Sequence, residues 1–521
     1  MSEKSITLQG YAWLMLPVVL FAAFWLTPVV SVPLLALTGW CSVRALRGGC
    51  RAEGYADVTR DRRWWWLLAL TAAYVLVCGI GGLVAQMPND HAWRNAIFFD
   101  LVRNDWPVTY ADGPDGTPRM LCYYFGFWLP AATVAKATGT ILAGDLVQVL
   151  YATWGTWIAL NMLFSMTGGK ARVTIVLLFI FFNGWDWLTS HFFSDETFSM
   201  ADDPWAPQLM WLSTTNRTFG ASANAVFYNF IYNQAIPMWV VITLMLHERE
   251  HTGRLILLTG IAPLFAPIPA LALGAGTAVT VIMRLASRRT LPSPLPALTG
   301  LLYGGAISTF LLANNAGGMV RVMTYRGSTW MLPGCCLLYY LLCLGAFLPF
   351  IWRDLRRSRG FLTPLFAAYA AAAILGPAIG IGTTPDLGWR ISVPLVILTN
   401  ILICRKGAEM RLMRIPARVA LIIAVAAGAF QPLYTLAFTL RNEILTHHGE
   451  RERKYTFMMG HISDPDYNMY YNNFVAGGDS FYRRHLMRSR SSRSAKRKRV
   501  SHLSPCTRRE SHDSRAGAAS D

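Results

Sequence analysis

The sequence has few charged residues. Asp, Glu, Lys and Arg make up only 15% of its 521 residues, against about 25% in an average soluble protein. Acidic residues are scarcest, with 29 Asp and Glu against 47 Lys and Arg, while hydrophobic residues make up 54%. This composition excludes soluble, disordered, collagen-like and disulfide-scaffold proteins, and it indicates a polytopic membrane protein.

Cysteine patterns typical of disulfide frameworks or zinc sites are also missing. The nine Cys residues lie mostly within apolar runs, and we interpret them as small apolar side chains. No cleavable signal peptide is evident, because the first apolar run continues through Pro28 and Pro33. No internal repeat of the kind that builds two-fold transporters is visible.

Long apolar runs are abundant instead. A helix needs about 20 apolar residues to cross ~30 Å of hydrocarbon. The runs 13–43 and 255–285 are longer and contain prolines, so we predict a helical hairpin in each. Single crossings are predicted at 64–86, 146–166, 171–189, 225–246, 331–352, 363–383 and 416–439, with shorter ones at 297–313 and 389–404. The predicted fold class is an all-α polytopic transmembrane helical bundle of about 11–13 spans.

Basic residues predict the orientation of these helices. If segment 121–142 lies along the outer interface, every basic cluster between helices falls in the cytoplasm, as the positive-inside rule requires. The clusters are Arg44 to Arg63, Lys170/Arg172, Arg249/Arg254, Arg284/Arg288/Arg289, Arg353 to Arg359 and Arg405 to Arg414. This topology places the N-terminus in the cytoplasm and the protein in the plasma (inner) membrane. A second topology, in which 121–142 crosses and 255–285 crosses once, exports Lys170, Arg172, Arg249 and Arg254.

The longer polar loops then share the outer face. We predict a transmembrane domain over 1–440, a small extracytoplasmic segment over 441–482 and a disordered basic tail over 483–521. The outer loops of the first domain are 87–120, 190–224 and 314–330. The tail lacks aromatic interleaving and a folded module, which favours anionic lipid over nucleic acid as a partner. Function is expected in the outer loops, supported by the helices.

The first outer loop carries the main candidate residue, Asp90. Residues 91–103 have the apolar spacing of a short helix lying in the membrane interface, with Trp93 on its apolar face and Arg94 away from it. Asp90 would either cap this helix or meet the head group of a lipid-linked substrate at the membrane surface, and the two roles are compatible.

An aromatic segment follows the first outer loop. It contains Tyr123 and Tyr124, and Lys136 is its one cation. One interpretation is an aromatic belt at the level of the lipid head groups. The other is a platform for a polyprenyl chain, with Lys136 facing a phosphate.

These features occur in a recognisable order. An apolar helix, a loop with an early Asp, an interfacial helix and a Tyr- and Pro-containing segment ending in Lys-Ala-Thr-Gly resemble the GT-C superfamily of membrane glycosyltransferases. The resemblance covers residues 64–190 at motif level. It implies transfer of a sugar from a polyprenyl- or dolichyl-phosphate donor to a glycan, lipid or protein acceptor, with Asp90 as the general base and His91 and Arg94 beside it.

Other phrases extend the resemblance and mark one departure from it. The segments DWPVTY, NQAIPMW and DLGWRISVP are similar to segments of uncharacterised bacterial polytopic proteins placed near this superfamily. The superfamily often has two acidic residues together, whereas His91 follows Asp90 here. No cofactor is therefore predicted with certainty, and a divalent cation stays an alternative.

Further residues are candidates for phosphate or metal binding. Asp386 and Arg390 are four residues apart on one helix face, where Arg390 would either bind a phosphate or pair with Asp386. Arg321 and Arg326 would either bind phosphate or be solvated. In loop 190–224 a divalent cation could bind His191, Asp195, Glu196, Asp202 and Asp203, although a solvated acidic loop is commoner.

Two other functions stay open. An exporter or flippase of lipid-linked saccharide would need the same cations and no base. Residues 247–251 spell H-E-x-x-H, the motif of zinc metalloproteases. Its inner positions are charged and it lies where a helix is expected to end, so an intramembrane metalloprotease is the third interpretation.

Overall fold

The computed structural model describes residues 1–47, 55–85, 90–110, 118–185, 220–287, 292–316, 320–324, 328–382, 387–446, 474–477 and 480–489. Helices dominate these residues. They are α1 (Glu3–Trp25), α2 (Pro28–Arg47), α3 (Arg62–Val77), α4 (Asp90–Arg103), α5 (Leu129–Thr138), α6 (Ile141–Met166), α7 (Arg172–Phe181), α8 (Asn224–His247), α9 (Thr252–Ile261), α10 (Pro267–Ala286), α11 (Pro294–Leu312), α12 (Met331–Leu344), α13 (Leu348–Arg357), α14 (Leu362–Leu375), α15 (Leu387–Arg390), α16 (Val393–Ala408), α17 (Ile415–Gly428) and α18 (Phe430–Phe438).

Among the described residues, eight helical segments are long and apolar enough to cross a membrane. They are Glu3–Trp25, Ile141–Met166, Asn224–His247, Pro267–Ala286, Pro294–Leu312, Met331–Arg357, Leu387–Ala408 and Ile415–Arg441. Four shorter apolar helices are Pro28–Val43, Arg172–Phe181, Thr252–Leu264 and Leu362–Ala378. The helical bundle is thus compatible with a multi-pass membrane protein, and a span count of 11–13 requires the shorter helices to cross as well.

Both predicted hairpins are present as pairs of helices. α1 and α2 are separated by two residues, and α9 and α10 are joined through a short 3₁₀ turn at Ala262–Leu264. Pro28 and Pro267 are each the first residue of a second helix, where the missing backbone N–H has no intrahelical partner to lose. Pro17 and Pro33 lie within α1 and α2 without ending them.

Basic residues from several loops meet at one end of the bundle, the basic end. The Arg172 guanidinium donates to the Thr59 hydroxyl at 2.7 Å and to an Asp61 carboxylate oxygen at 3.2 Å. The Tyr55 hydroxyl donates to the Leu246 carbonyl at 3.0 Å, which ties this region to the end of α8. Met1 bonds through its amino group to the Val58 carbonyl. The N-terminus therefore lies at the basic end.

A contact of Arg284 decides between the two topologies for 255–285. Its guanidinium donates to the Thr252 hydroxyl at 2.8 Å and also bonds to the Arg249 carbonyl. Residues on both sides of the segment thus lie at the same end of the bundle. The alternative with a single crossing over 255–285 is wrong, because it would put these residues on opposite sides of the membrane.

The predicted outer loops meet at the other end, the loop end. Strands β1 (Thr109–Tyr110), β2 (Arg119–Leu121) and β5 (Val475–Ala476) form an antiparallel sheet in the order β1-β2-β5. β3 (Val320–Val322) pairs with β4 (Ile379–Ile381) in a second sheet. The Asn315 N–H donates to the Val475 carbonyl at 2.9 Å and links the 314–330 loop to the first sheet. The pairing of β2 with β5 joins segments that are hundreds of residues apart in sequence, and that of β3 with β4 joins the 314–330 loop to the end of the predicted crossing 363–383.

Segment 121–142 does not form one long helix. It contains a 3₁₀ turn at Gly126–Trp128 and α5. α5 has 10 residues, which gives it a length of about 15 Å, half of what a crossing needs. This length supports the topology in which the segment does not cross.

The C-terminal segment returns to the loop end. The Tyr482 hydroxyl donates to the Trp25 carbonyl at 2.7 Å, and the Thr27 N–H donates to the Leu486 carbonyl at 2.8 Å. Residues 483–489, the first part of the predicted basic tail, thus lie beside the end of α1. Residues 490–521 lie outside the described residues.

Labelling of single cysteines tests which end faces outward. We expect a cysteine at Val322, 71% exposed at the loop end, to react with a membrane-impermeant maleimide in intact cells. A cysteine at Glu250, 77% exposed at the basic end, should react only after permeabilisation. The unsubstituted protein gives the background from native cysteines. The reverse labelling pattern would contradict the orientation expected from the positive-inside rule.

Candidate functional site

The predicted helix over residues 91–103 is present as α4, but its surroundings differ from the prediction. Arg94 and Asp100 are 5% and 0% exposed, so part of the polar side of α4 is buried, whereas Arg103 at its C-terminal end is exposed. Asp100 accepts a hydrogen bond of 2.5 Å from the Tyr110 hydroxyl. Gly144 of α6 admits Phe98, because a Cβ there would come within 2.5 Å of that ring. The polar residues of α4 are tolerated inside because they find partners there.

Three predicted site residues cannot be placed at the level of their side chains. Asp90 is the first residue of α4, but its side chain lies outside the described residues. Arg326 and Asp386 lie outside them as well, as do the acidic residues of loop 190–219. Of the described residues, no group of three or more His, Cys, Asp or Glu side chains could hold a metal ion.

His91 joins α4 to α8. Its Nε2 lies 2.6 Å from the Asn229 carbonyl, so this nitrogen donates. α8 departs from helical geometry close by, at Ile231 (φ −134°, ψ 38°). Burial, and to a lesser extent the nearby Arg94 charge, lower the pKa of His91 to about 3, against the opposing effect of the bond to Asn229. The imidazole is therefore neutral at pH 7.

Arg94 lies one turn further along α4 and also contacts α8. Its Nε donates to the Asn233 side-chain oxygen at 3.4 Å. The guanidinium lies 5.6 Å from the centre of the Tyr232 ring, a distance at which a cation is attracted to the ring face. α8 thus holds a cation inside the protein at the loop end.

A second arginine reaches the same region from α15. Arg390 Nη1 donates to the Tyr124 hydroxyl at 2.5 Å, and the rings of Tyr124 and Tyr123 stack with centroids 3.8 Å apart. Burial and Tyr124 raise the pKa of Tyr123, while the charges of Arg390 and Arg94 oppose this shift. Arg94 is linked to the tyrosines through α8, since Asn233 accepts from Arg94 and the next residue, Gln234, donates to Tyr124 at 3.4 Å. We call Arg94, Arg390, Tyr123 and Tyr124 the arginine–tyrosine cluster.

The structure places Lys136 elsewhere. Its ammonium donates to the carbonyls of Val102 at 3.0 Å and Asn104 at 2.6 Å, at the C-terminus of α4. That position is about 12 Å further along α4 than Arg94. Burial lowers the pKa of Lys136, and Asp105 opposes the shift. Lys136 therefore caps α4 and complements its dipole, and it does not join the arginine–tyrosine cluster.

An aromatic wall beside the cluster includes a residue that the sequence analysis missed. Phe474 stacks on Trp93 with ring centroids 5.1 Å apart and on Tyr123 at 4.8 Å. The β5 segment that follows Phe474 pairs with β2, which fixes this ring at the loop end. Only the long-range pairing brings a C-terminal ring here, so no local signal could have predicted it.

Three amides of α8 were also missed. Asn229, Asn233 and Gln234 are at most 1% exposed and border His91, Arg94 and Tyr124, respectively. A signal was available, because polar residues inside a predicted membrane helix are uncommon and often functional.

The H-E-x-x-H residues do not form a zinc site. α8 ends at His247 and α9 begins at Thr252, so the motif spans a turn instead of one helix face. Glu248 accepts from Arg254 at 2.8 Å and lies 3.1 Å from His251. Burial opposes ionisation of Glu248, but these two partners outweigh it and hold its pKa below the ordinary value. The helix-end interpretation of this motif therefore agrees with the structure.

The fold and the cluster together define a class: an α-helical protein with the features of a multi-pass membrane protein and a cationic, aromatic-walled site at its loop end. Comparison with protein-family models, with curated proteins and with solved structures gave no match.

The neutral state of His91 predicts an acid sensitivity. Its pKa is about 3 in the folded protein and ~6.5 when unfolded, so unfolding takes up a proton between these values. Its contribution to stability is complete above pH 6.5 and falls by about 1.4 kcal/mol per pH unit below it. We expect His91→Gln, which keeps a donor for Asn229, to lose less thermal stability than wild type between pH 7.5 and 5.5. Equal losses in the two proteins would contradict the buried neutral imidazole.

Proposed function

We propose that this protein is an integral membrane glycosyltransferase of the GT-C type that uses a polyprenyl-phosphate-linked sugar at the extracytoplasmic face. The observation that carries the proposal is that Arg390 and Arg94 are linked through Tyr124 and α8. Arg390 and Gln234 both donate to Tyr124, and Asn233, the residue before Gln234, accepts from Arg94. Guanidinium groups bind phosphate through paired hydrogen bonds, and partial burial strengthens the interaction. With the basic end in the cytoplasm, this cluster lies towards the outside.

The described residues suggest how the donor would bind and react. Arg94 and Arg390 hold the phosphate, and the wall of Trp93, Tyr123 and Phe474 packs against the adjoining apolar or sugar portion. When the bond between the sugar and the phosphate oxygen breaks, negative charge grows on the polyprenyl phosphate. The two guanidiniums stabilise that charge in the transition state.

Asp90 is the proposed general base, which takes the proton of the acceptor hydroxyl. It begins α4, four positions before Arg94. His91 acts differently, since its bond to the Asn229 carbonyl fixes the start of α4 on α8. We therefore propose His91 as a positioning residue.

An exporter or flippase of lipid-linked saccharide is the alternative, because it would use the same cluster without a base. A transfer assay separates the two. Purified protein in lipid nanodiscs would be given radiolabelled polyprenyl-phosphate hexose and an extract of cell-envelope acceptors. We expect label to move from the lipid to an acceptor. Binding of the donor without transfer would contradict the glycosyltransferase. Surface glycans that nevertheless change in a deletion strain, measured by mass spectrometry, would then favour the exporter.

A further inference from the structure

α8 carries a set of buried amides beside the arginine–tyrosine cluster. Asn229 and Asn233 are four residues apart, and Gln234 follows directly. Their exposures are 0%, 0% and 1%. The helix is distorted here by the non-helical Ile231 and by Pro237, which offers no N–H to the turn before it.

Each of these amides has one bonded atom and one atom without a hydrogen-bond partner among the described residues. The unpartnered atoms are Asn229 Oδ1, Asn233 Nδ2 and Gln234 Oε1. Their other atoms bond to Thr439, Arg94 and Tyr124. Buried polar groups normally find partners, because leaving them unbonded costs stability.

Two other buried amides in the bundle, Asn161 and Asn224, are bonded through both their oxygen and their nitrogen. Asn161 accepts from the Trp64 ring N–H at 2.9 Å and donates to the Trp157 carbonyl at 2.7 Å. Asn224 likewise accepts from Trp239 at 2.7 Å and donates to the Phe179 carbonyl at 3.0 Å. Further along α8, by contrast, three amides within six residues each keep one atom without a hydrogen-bond partner in the described part of the chain, and all three border residues of the candidate site.

We propose that Asn233 and Gln234 recognise hydroxyl groups of the sugar on the lipid-phosphate donor. Neighbouring Asn233 Nδ2 and Gln234 Oε1 offer one donor and one acceptor, and a sugar hydroxyl can both accept and donate. Both amides also touch the groups that hold the phosphate, since Asn233 accepts from Arg94 and Gln234 donates to Tyr124 at 3.4 Å. A hexose joined to that phosphate would thus lie within reach of both side chains.

This inference rests on the proposed function and adds that α8 recognises the sugar part of the donor. It makes Gln234 a specificity residue whose removal does not harm the fold. Gln234→Met keeps the size of the side chain and deletes its unpartnered oxygen together with the Nε2 that donates to Tyr124 at 3.4 Å. That bond is long, and Arg390 still donates to Tyr124 at 2.5 Å, so the phosphate contacts should persist. A residue with a packing role would behave in the opposite way, losing stability when its polar group is deleted.

The experiment compares two ligands, polyprenyl phosphate and polyprenyl-phosphate hexose, by native mass spectrometry of the full chain in nanodiscs. We expect wild type to prefer the hexose-bearing lipid by about tenfold. In Gln234→Met the preference should fall to near one, with unchanged binding of the sugar-free lipid and no loss of thermal stability. Asn161→Leu is the matched control: it should lower stability and keep the preference.

The possible failures are distinguishable. A wild type that binds neither lipid would overturn the proposed function and this inference with it. A wild type that binds both lipids equally, or a Gln234→Met variant that keeps the preference, would overturn the inference alone. If Gln234→Met weakened the binding of both lipids equally, this would also overturn the inference, and it would show that Gln234 acts only by positioning Tyr124.

Discussion

Replacement of Asp90 by Asn is expected to lower the rate of sugar transfer by about 10²–10⁴-fold, the usual contribution of a general base. The amide has nearly the same shape but cannot take a proton from the acceptor hydroxyl. The donor should still bind, because the phosphate is held by Arg94 and Arg390 and not by Asp90. The measurement is transfer of radiolabelled hexose under saturating donor, with donor affinity determined in parallel.

Asp105→Asn is the matched control for this experiment, since Asp105 is an exposed carboxylate after the same helix. It should transfer sugar at the wild-type rate. Full transfer activity in Asp90→Asn would rule out Asp90 as the base. Wild-type export of lipid-linked saccharide by the same variant, with no transfer by either protein, would favour the exporter.

Replacement of Arg390 by Gln is expected to weaken binding of polyprenyl phosphate by about 10–100-fold, which corresponds to the loss of one hydrogen-bonded charge. Gln still offers an N–H to Tyr124, so the local fold should persist. Arg390→Lys should bind polyprenyl phosphate with an affinity between those of wild type and Arg390→Gln, because an ammonium keeps the charge but loses the planar pair of donors. Affinity can be measured by native mass spectrometry across a concentration series.

Arg103→Gln serves as the control for charge. Arg103 is an exposed arginine at the opposite end of α4 from the cluster, and its guanidinium lies over the Phe99 ring at 4.4 Å. We expect it to bind polyprenyl phosphate as wild type does. Equal weakening in Arg103→Gln and Arg390→Gln would mean that the lipid responds to net charge and does not occupy the cluster.

Much of the helical architecture could be predicted from the sequence because its signals are local. Apolar length and prolines predicted the two hairpins, and the basic loops predicted that 255–285 turns back, which the contact of Arg284 with Thr252 confirms. The spacing of residues 91–103 predicted α4. The burial of Arg94 and Asp100 was not predictable, since it depends on partners from α8 and β1, namely Asn233 and Tyr110.

The candidate site was predicted in its residue types more than in its arrangement. Tyr124 was a candidate for the polyprenyl platform and Arg390 for phosphate binding, and a contact between residues 266 positions apart could not be predicted from either local pattern. For Lys136 the local pattern was compatible with two roles. A cation after an aromatic segment fits a phosphate contact or a helix cap equally well, and tertiary packing places it at the carbonyls of α4.

The most direct test of the central claim, that the arginine–tyrosine cluster binds the phosphate of a lipid-linked sugar, is photocrosslinking. A polyprenyl-phosphate hexose with a diazirine next to the phosphate would be irradiated with the protein in nanodiscs, and labelled peptides would be mapped by mass spectrometry. We predict labels on the peptides that contain Tyr123–Tyr124 and α15, removed by unlabelled donor and lost in Arg390→Gln. Labels confined to other helices, or labels at the cluster that persist in Arg390→Gln, would contradict the claim.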